Sequence, residues 1–129
     1  MTRPASRHPT ELELEILKIL WREGPMPVRG VRQALAPSRK LAYTSVMTVM
    51  GIMAQKGYLR RSKHGTHFVY QPAITKQSTV RGIVRDVVDR VFDGSAAAAA
   101  LHLVETADLD ERELRAIRRI LEQKGEDKP

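Results

Sequence analysis

The chain has 129 residues, 42% of them hydrophobic, which is enough to form the core of one compact domain or of a small domain with an appendage. The absence of cysteine excludes disulfide bonds, thiolate metal sites and thiol-based redox sensing. A net charge of +7 suits a polyanionic partner, and an aromatic content of only 5% favours helices over a β-sandwich.

The first part of the chain contains three helical patterns. Thr10 followed by Glu13 forms a capping-box pattern, which predicts a helix that runs to about Arg22. The stretch "MPVRGVRQALA" (26–36) predicts a second, shorter helix, and "PSRK" predicts a turn. A third helix is expected over residues 43–56. Three helices with short connections are in the order of a helix-turn-helix.

The pattern then changes to that of a β-hairpin. The stretches "YLRRS" (58–62) and "HFVYQ" (67–71) are strand candidates, joined by "KHGT", in which Gly65 can adopt a positive φ. Pro72 ends the second strand. Residues 1–72 are therefore predicted to form a winged helix-turn-helix domain, with the hairpin as the wing.

The third helix has two different faces. Val46, Val49, Met50 and Met53 recur at helical spacing and are expected to pack on the first two helices. Small hydroxyl side chains on the other face can approach base edges, and Thr and Met can contact a thymine methyl group, so this face fits a major groove. An alternative interpretation is that it packs against another protein or a second subunit. The opposite face consists of Thr44, Ser45, Met47, Thr48, Gly51 and Gln55.

Basic residues surround this helix. No Asp or Glu occurs from Gly24 through Arg85, a span that contains eleven Lys or Arg residues. Such a surface releases counterions from a nucleic acid, although a merely solvated basic face remains an alternative. The prediction is contact with double-stranded DNA through Arg39, Lys40, Tyr43, Thr44, Ser45, Met47, Thr48, Lys56, Arg60, Arg61, Lys63 and His64.

Residues 73–129 are predicted to form a helical dimerisation domain of three short helices, "TVRGIVRDVVDRVFDG", "SAAAAALHLVETA" and "DLDERELRAIRRILEQK". Three short helices enclose little core alone, so we expect them to pair with a second copy of the chain. Candidate N-caps are Thr75, Ser78 or Thr79 for the first helix, Ser95 for the second, and Asp108 or Asp110 for the third.

The predicted dimer is two-fold symmetric and would place two recognition helices about one DNA turn apart, so the operator is expected to be an inverted repeat. The residues assigned to the dimer contact are Val80, Ile83, Val84, Val87, Val88, Val91, Leu101, Leu114, Ile117 and Leu121.

Three stretches, "TELELEILKILWREGPMPVRGVRQAL", "LAYTSVMTVMGIMAQKGYLRR" and "GTHFVYQP", resemble the bacterial penicillinase repressor family, the winged-helix repressors of β-lactamase and methicillin-resistance genes. The resemblance extends from about Leu12 to Leu121. It implies a homodimeric repressor in which Thr44, Ser45, Met47 and Thr48 match the recognition-helix contacts and residues 60–67 match the wing. Many members carry Arg at the positions of Ile52 and Thr66, which this chain lacks.

The resemblance also implies a release mechanism. In the family, a membrane sensor with a metalloprotease domain triggers cleavage in the helical domain, and the corresponding bond here is His102-Leu103, where the best-known members have Asn-Phe. An alternative for the alanine-rich stretch that precedes this bond is a closely packed helix at the dimer contact.

Other chemistry has little support in the sequence. His64, His67 and His102 have no cysteine or nearby carboxylate to complete a metal site, so no metal or cofactor is predicted. No catalytic motif is present, so an enzyme is not expected. The N-terminal stretch lacks a signal-peptide pattern and no window is apolar enough to insert in a membrane, which predicts a cytoplasmic protein. Two alternatives remain open: a ligand-sensing winged-helix regulator of another operon, and a winged-helix protein-interaction module.

Overall fold

The computed structural model describes residues 8–127, so Arg3 and Arg7, two basic residues of the predicted DNA-binding domain 1–72, lie outside the described residues. The predicted class, mainly α with a small β-hairpin, is confirmed. The chain divides into two compact units, Met1–Arg85 and Asp86–Pro129, and the predicted domain boundary after Pro72 stays a prediction. The elements are α1 (Glu11–Glu23), α2 (Val28–Leu35), α3 (Tyr43–Gln55), β1 (Leu59–His64), β2 (His67–Pro72), α4 (Lys76–Val91), α5 (Ala96–Thr106) and α6 (Glu111–Glu126).

Helix α1 begins at the predicted capping box. The amide of Glu13 donates to Thr10 Oγ1 over 3.2 Å, and the amide of Thr10 donates to Glu13 Oε1 over 2.8 Å. The helix ends at Gly24, whose φ of +92° is strained for any residue with a side chain. Local sequence therefore determines both ends of α1.

The core of the first unit lies between α1, α2, α3 and the start of the hairpin. On α3, Val46, Met50 and Met53 are fully buried, while Val49, also expected in the core, is only half-buried. The remaining core residues are Ile16, Leu17, Ile19, Leu20, Val28, Val31, Leu35, Leu59 and Tyr70. Because the buried stripe of α3 faces α1 and α2, the opposite side of α3 is left outward.

The hairpin is longer than the sequence indicated. Its antiparallel strands pair from Leu59 with Pro72 to His64 with His67, so only Gly65 and Thr66 form the loop, with Gly65 at φ +65°. Met26 and Tyr70 exchange two backbone hydrogen bonds of 3.1 and 3.0 Å. These bonds attach β2 of the hairpin to the segment between α1 and α2.

Helices α4 to α6 carry the expected caps, and the structure chooses among the candidates. Thr75 Oγ1 accepts the amide of Ser78, and Ser95 Oγ accepts the amide of Ala98. Asp110 rather than Asp108 caps α6, with a reciprocal bond from its own amide to Glu113. None of the helices within residues 8–127 combines the length and the apolar character that a membrane crossing requires.

Candidate nucleic-acid interface

Helix α3 presents an uncharged outer face. We use "outer face" for Thr44, Ser45, Met47, Thr48, Gly51, Ile52 and Gln55, of which all but the half-buried Gly51 are exposed. Met47 and Ile52 are the large apolar members, 44% and 43% exposed. A helix surface without a single charge, yet open to solvent, is unusual for a face that only meets water.

Two details fix the shape of this face. The Thr48 hydroxyl donates to the carbonyl of Thr44 over 2.9 Å, so its proton is already engaged by the helix backbone. At Gly51, an added methyl group would meet no atom within 4 Å beyond its own stretch of helix. The outer face therefore has a gap at Gly51, where another molecule can approach the helix backbone closely.

Basic side chains lie on α2, before α3 and on β1, the elements next to the outer face in the fold. Arg29 lies on α2, Lys40 lies just before α3, and Arg60 and Lys63 lie on β1. All four are exposed, and none has a carboxylate partner within the described residues 8–127. A helix that reads bases needs cations on both sides to contact the DNA phosphates, and unpaired cations beside an uncharged helix meet this requirement.

Two of the predicted phosphate contacts are engaged elsewhere. Lys56 Nζ lies 2.9 Å from Glu13 Oε2, and this carboxylate is almost fully buried. Arg39 pairs with Glu15 and lies 3.6 Å from Glu11 Oε1. Lys56 therefore attaches the end of α3 to α1, and Arg39 attaches the turn before α3 to α1. The sequence did not indicate that these two cations stabilise the fold.

The hairpin extends this surface as a wing. The Arg61 guanidinium lies 4.7 Å from the centre of the exposed Phe68 ring, which holds the charge near the hairpin's outer end. His64 and His67 face each other across the last strand pair, and His64 Nε2 lies 3.1 Å from Ser62 Oγ. The wing therefore ends in a group of polar and cationic side chains.

An open groove of about 860 Å³ runs between α2, the start of α3 and the wing. Besides the predicted Tyr43, Met47, Arg61 and His64, it brings in residues that sequence reasoning did not assign. The basic pattern of α2 could have predicted that its arginines, Arg29 and Arg32, lie here. Only the folded hairpin brings the wing residues to the groove. Thr66 and His67 belong to the stretch that the resemblance matched to the wing, and the lining residues without an earlier assignment include Arg29, Arg32 and Phe68.

Three helices followed by a hairpin, with an uncharged outer face between unpaired cations, define a winged helix-turn-helix DNA-binding protein. Comparison with known proteins identifies the group within that class. The family model described as penicillinase repressor matches residues 9–123, so the chain belongs to the penicillinase repressor family, which comprises DNA-binding transcriptional repressors and not enzymes.

Two curated relatives agree with this assignment, and one solved structure is given with its similarity. The transcriptional regulator BlaI of Mycobacterium tuberculosis is 36% identical over 113 residues, covering 86% of this chain and 80% of the relative. The methicillin resistance regulatory protein MecI of Mammaliicoccus sciuri is 21% identical over 112 residues, covering 87% and 91%. Among solved structures, the DNA-binding domain of the repressor BlaI aligns with a TM-score of 0.49 at 26% identity, covering 56% of this chain and 90% of that chain.

Proposed function

We propose that the protein is a homodimeric repressor that binds an inverted-repeat operator, with the outer face of α3 in the major groove and the wing on the adjacent backbone. The observation that carries this proposal is the pairing of an uncharged, exposed helix face with the cations Arg29, Lys40, Arg60 and Lys63. Affinity comes from the cations through counterion release, and sequence preference comes from the helix.

The proposal of a dimer rests on apolar surface in α4 to α6. Most of their large hydrophobic side chains are exposed, while Val88 and Ala99 are buried. Monomeric proteins rarely leave so much apolar surface uncovered, and a second copy would cover it symmetrically. The large exposed hydrophobic residues on these helices are Val80, Val84, Val87, Val91, Leu101, Leu103, Val104, Ile120 and Leu121.

Val84 and Val88 differ in exposure, so only Val84 is proposed to contact the second copy. Val84 is 53% exposed and is available to a partner, whereas Val88 is buried within its own chain. Leu114 and Ile117 on α6 are half-buried, as is Ile83 on α4, so each offers less surface to a partner than the exposed residues do. We therefore assign the main dimer contact to the exposed residues and assign Val88 to the packing of the protomer.

Release by proteolysis remains part of the proposal, with a structural requirement. The bond between His102 and Leu103 lies inside α5, although Leu103 itself is exposed. Proteases bind their substrates in extended form, so α5 must unwind locally before a membrane sensor protease, or a protease that it activates, could cut there. Immunoblotting of cells before and after β-lactam treatment tests this step. A fragment ending at His102 supports it, and intact chain on a derepressed promoter contradicts it.

Selection from a random duplex library with the purified full chain tests the proposed function. We expect an enriched inverted repeat and an affinity that falls steeply with salt, with a log–log slope of about −0.9 per phosphate neutralised. An enriched single half-site would contradict the dimeric reading. Failure to enrich any sequence, or an affinity that ignores salt, would instead favour the protein-interaction alternative.

A further inference from the structure

The outer face of α3 lacks the side chains that read G·C pairs. No residue of Tyr43–Gln55 is charged, so the helix has no Arg or Lys for guanine O6 and N7, and no Asp or Glu for cytosine N4. The side chains that pair best with adenine, Asn and Gln, are represented only by Gln55, in the last position of the helix. Direct reading of guanine or cytosine by strong hydrogen bonds is therefore largely unavailable to this helix.

The same face offers apolar groups instead. Met47 and Ile52 are large, exposed and five residues apart, so they border the outer face on its two sides. The hydroxyl proton of Thr48, which lies between them, is bonded to the Thr44 carbonyl, so this side chain offers a methyl group and acceptor lone pairs outward. The surface is shaped for contact with carbon atoms more than for donation of hydrogen bonds.

The space beside these groups is open. A groove of about 570 Å³ is lined by Met47, Thr48, Gly51 and Ile52 and continues to Arg60 and Arg61 on β1. The missing side chain at Gly51 leaves room for a group that projects from a base edge. In the major groove, the apolar group that projects in this way is the C5-methyl of thymine.

We propose that α3 selects its operator by contact of Met47 and Ile52 with thymine C5-methyl groups, with the gap at Gly51 admitting them. This inference rests on the proposed function, because it names the bases that the repressor reads. The flanking cations do not supply this choice, since phosphate contacts are the same for every sequence. The operator half-sites are consequently rich in thymine where α3 lies.

The test uses the duplex selected with the full chain. Each thymidine is replaced in turn by deoxyuridine, which removes the methyl group and keeps every hydrogen-bonding group of the base. We expect two or more positions in each half-site at which affinity falls about fourfold per methyl group.

Variants then assign the contacts. Met47→Ala or Ile52→Ala should weaken binding to the thymine duplex. At the one thymine that the altered residue contacts, replacement by uracil should then no longer change the affinity, and a double-mutant cycle measures this coupling. Both residues are exposed, so the thermal unfolding of the variants should match the parent; if one fails to fold, the other still tests the assignment. Lys63→Ala is the matched control, because it should weaken all duplexes equally and keep the uracil effect.

The outcomes separate the two proposals. Equal affinity for thymine and uracil duplexes, in a protein that selects a sharp operator, would overturn the thymine inference and leave the repressor intact. Sensitivity to 7-deazaguanine under α3 in place of uracil would also overturn it. A library that enriches no sequence would overturn the proposed function and the inference together.

Discussion

Replacing Gly51 with alanine should stabilise the free protein and weaken its DNA binding. Gly51 lies inside α3, where glycine costs roughly 0.5–1 kcal/mol relative to alanine because it loses more backbone freedom on folding. A methyl group there would meet no protein atom within 4 Å beyond its own stretch of helix, so the gain in helix stability should be realised in full. The melting temperature should rise by about 2–8 °C.

The same methyl group should lower the affinity of the protein for DNA. The added methyl group would occupy the gap through which α3 is proposed to approach the base edges, and overfilling a close contact costs about 1–3 kcal/mol. We therefore expect the dissociation constant for the selected operator to rise about tenfold or more. Differential scanning calorimetry of the free chain and fluorescence anisotropy of a labelled operator measure the two effects separately.

Gly125→Ala is the matched control. Gly125 also lies in a helix, α6, and a methyl group there would likewise have no neighbour within 4 Å. This variant should leave operator affinity unchanged. If Gly51→Ala stabilises the chain and binds the operator as tightly as the parent, the outer face of α3 does not approach DNA closely. If it destabilises the chain, the reasoning about open space at this position is wrong.

Four substitutions separate stability, phosphate contact, dimerisation and base reading. Lys56→Ala should lower the free energy of unfolding by about 1.5–3 kcal/mol, because the buried Glu13 carboxylate loses its ion-pair partner. Lys63→Ala should leave the free energy of unfolding unchanged and reduce the salt slope of DNA binding by about one per protomer. Urea unfolding and salt titrations measure both, and equal stability of the two variants would contradict the structural task of Lys56. Val84→Glu should shift sedimentation toward the monomer and weaken operator binding indirectly, and an unchanged sedimentation coefficient would remove Val84 from the dimer contact. Thr48→Glu should abolish specific binding and keep the dimer, whereas loss of folding would show that this face belongs to the core.

Much of the fold follows from local sequence. The capping boxes at Thr10 and Asp110 and the glycine that ends α1 place helix boundaries through bonds between near neighbours in the chain. The stripe of Val46, Met50 and Met53 is buried as its spacing predicted, because one face of an amphipathic helix must meet the core. Since the other face is what remains, the sequence also located the outer face of α3.

Tertiary structure decided which of the basic residues around that face are unpaired. Lys56 and Glu13 are 43 residues apart, so only the packing of α3 on α1 brings them together as an ion pair, and the predicted phosphate contact of Lys56 stays a prediction. The same holds for Arg39 and the carboxylates of α1. Charge and periodicity are properties of single segments and can be read along the chain, whereas the partner of a charge depends on how distant segments fold together.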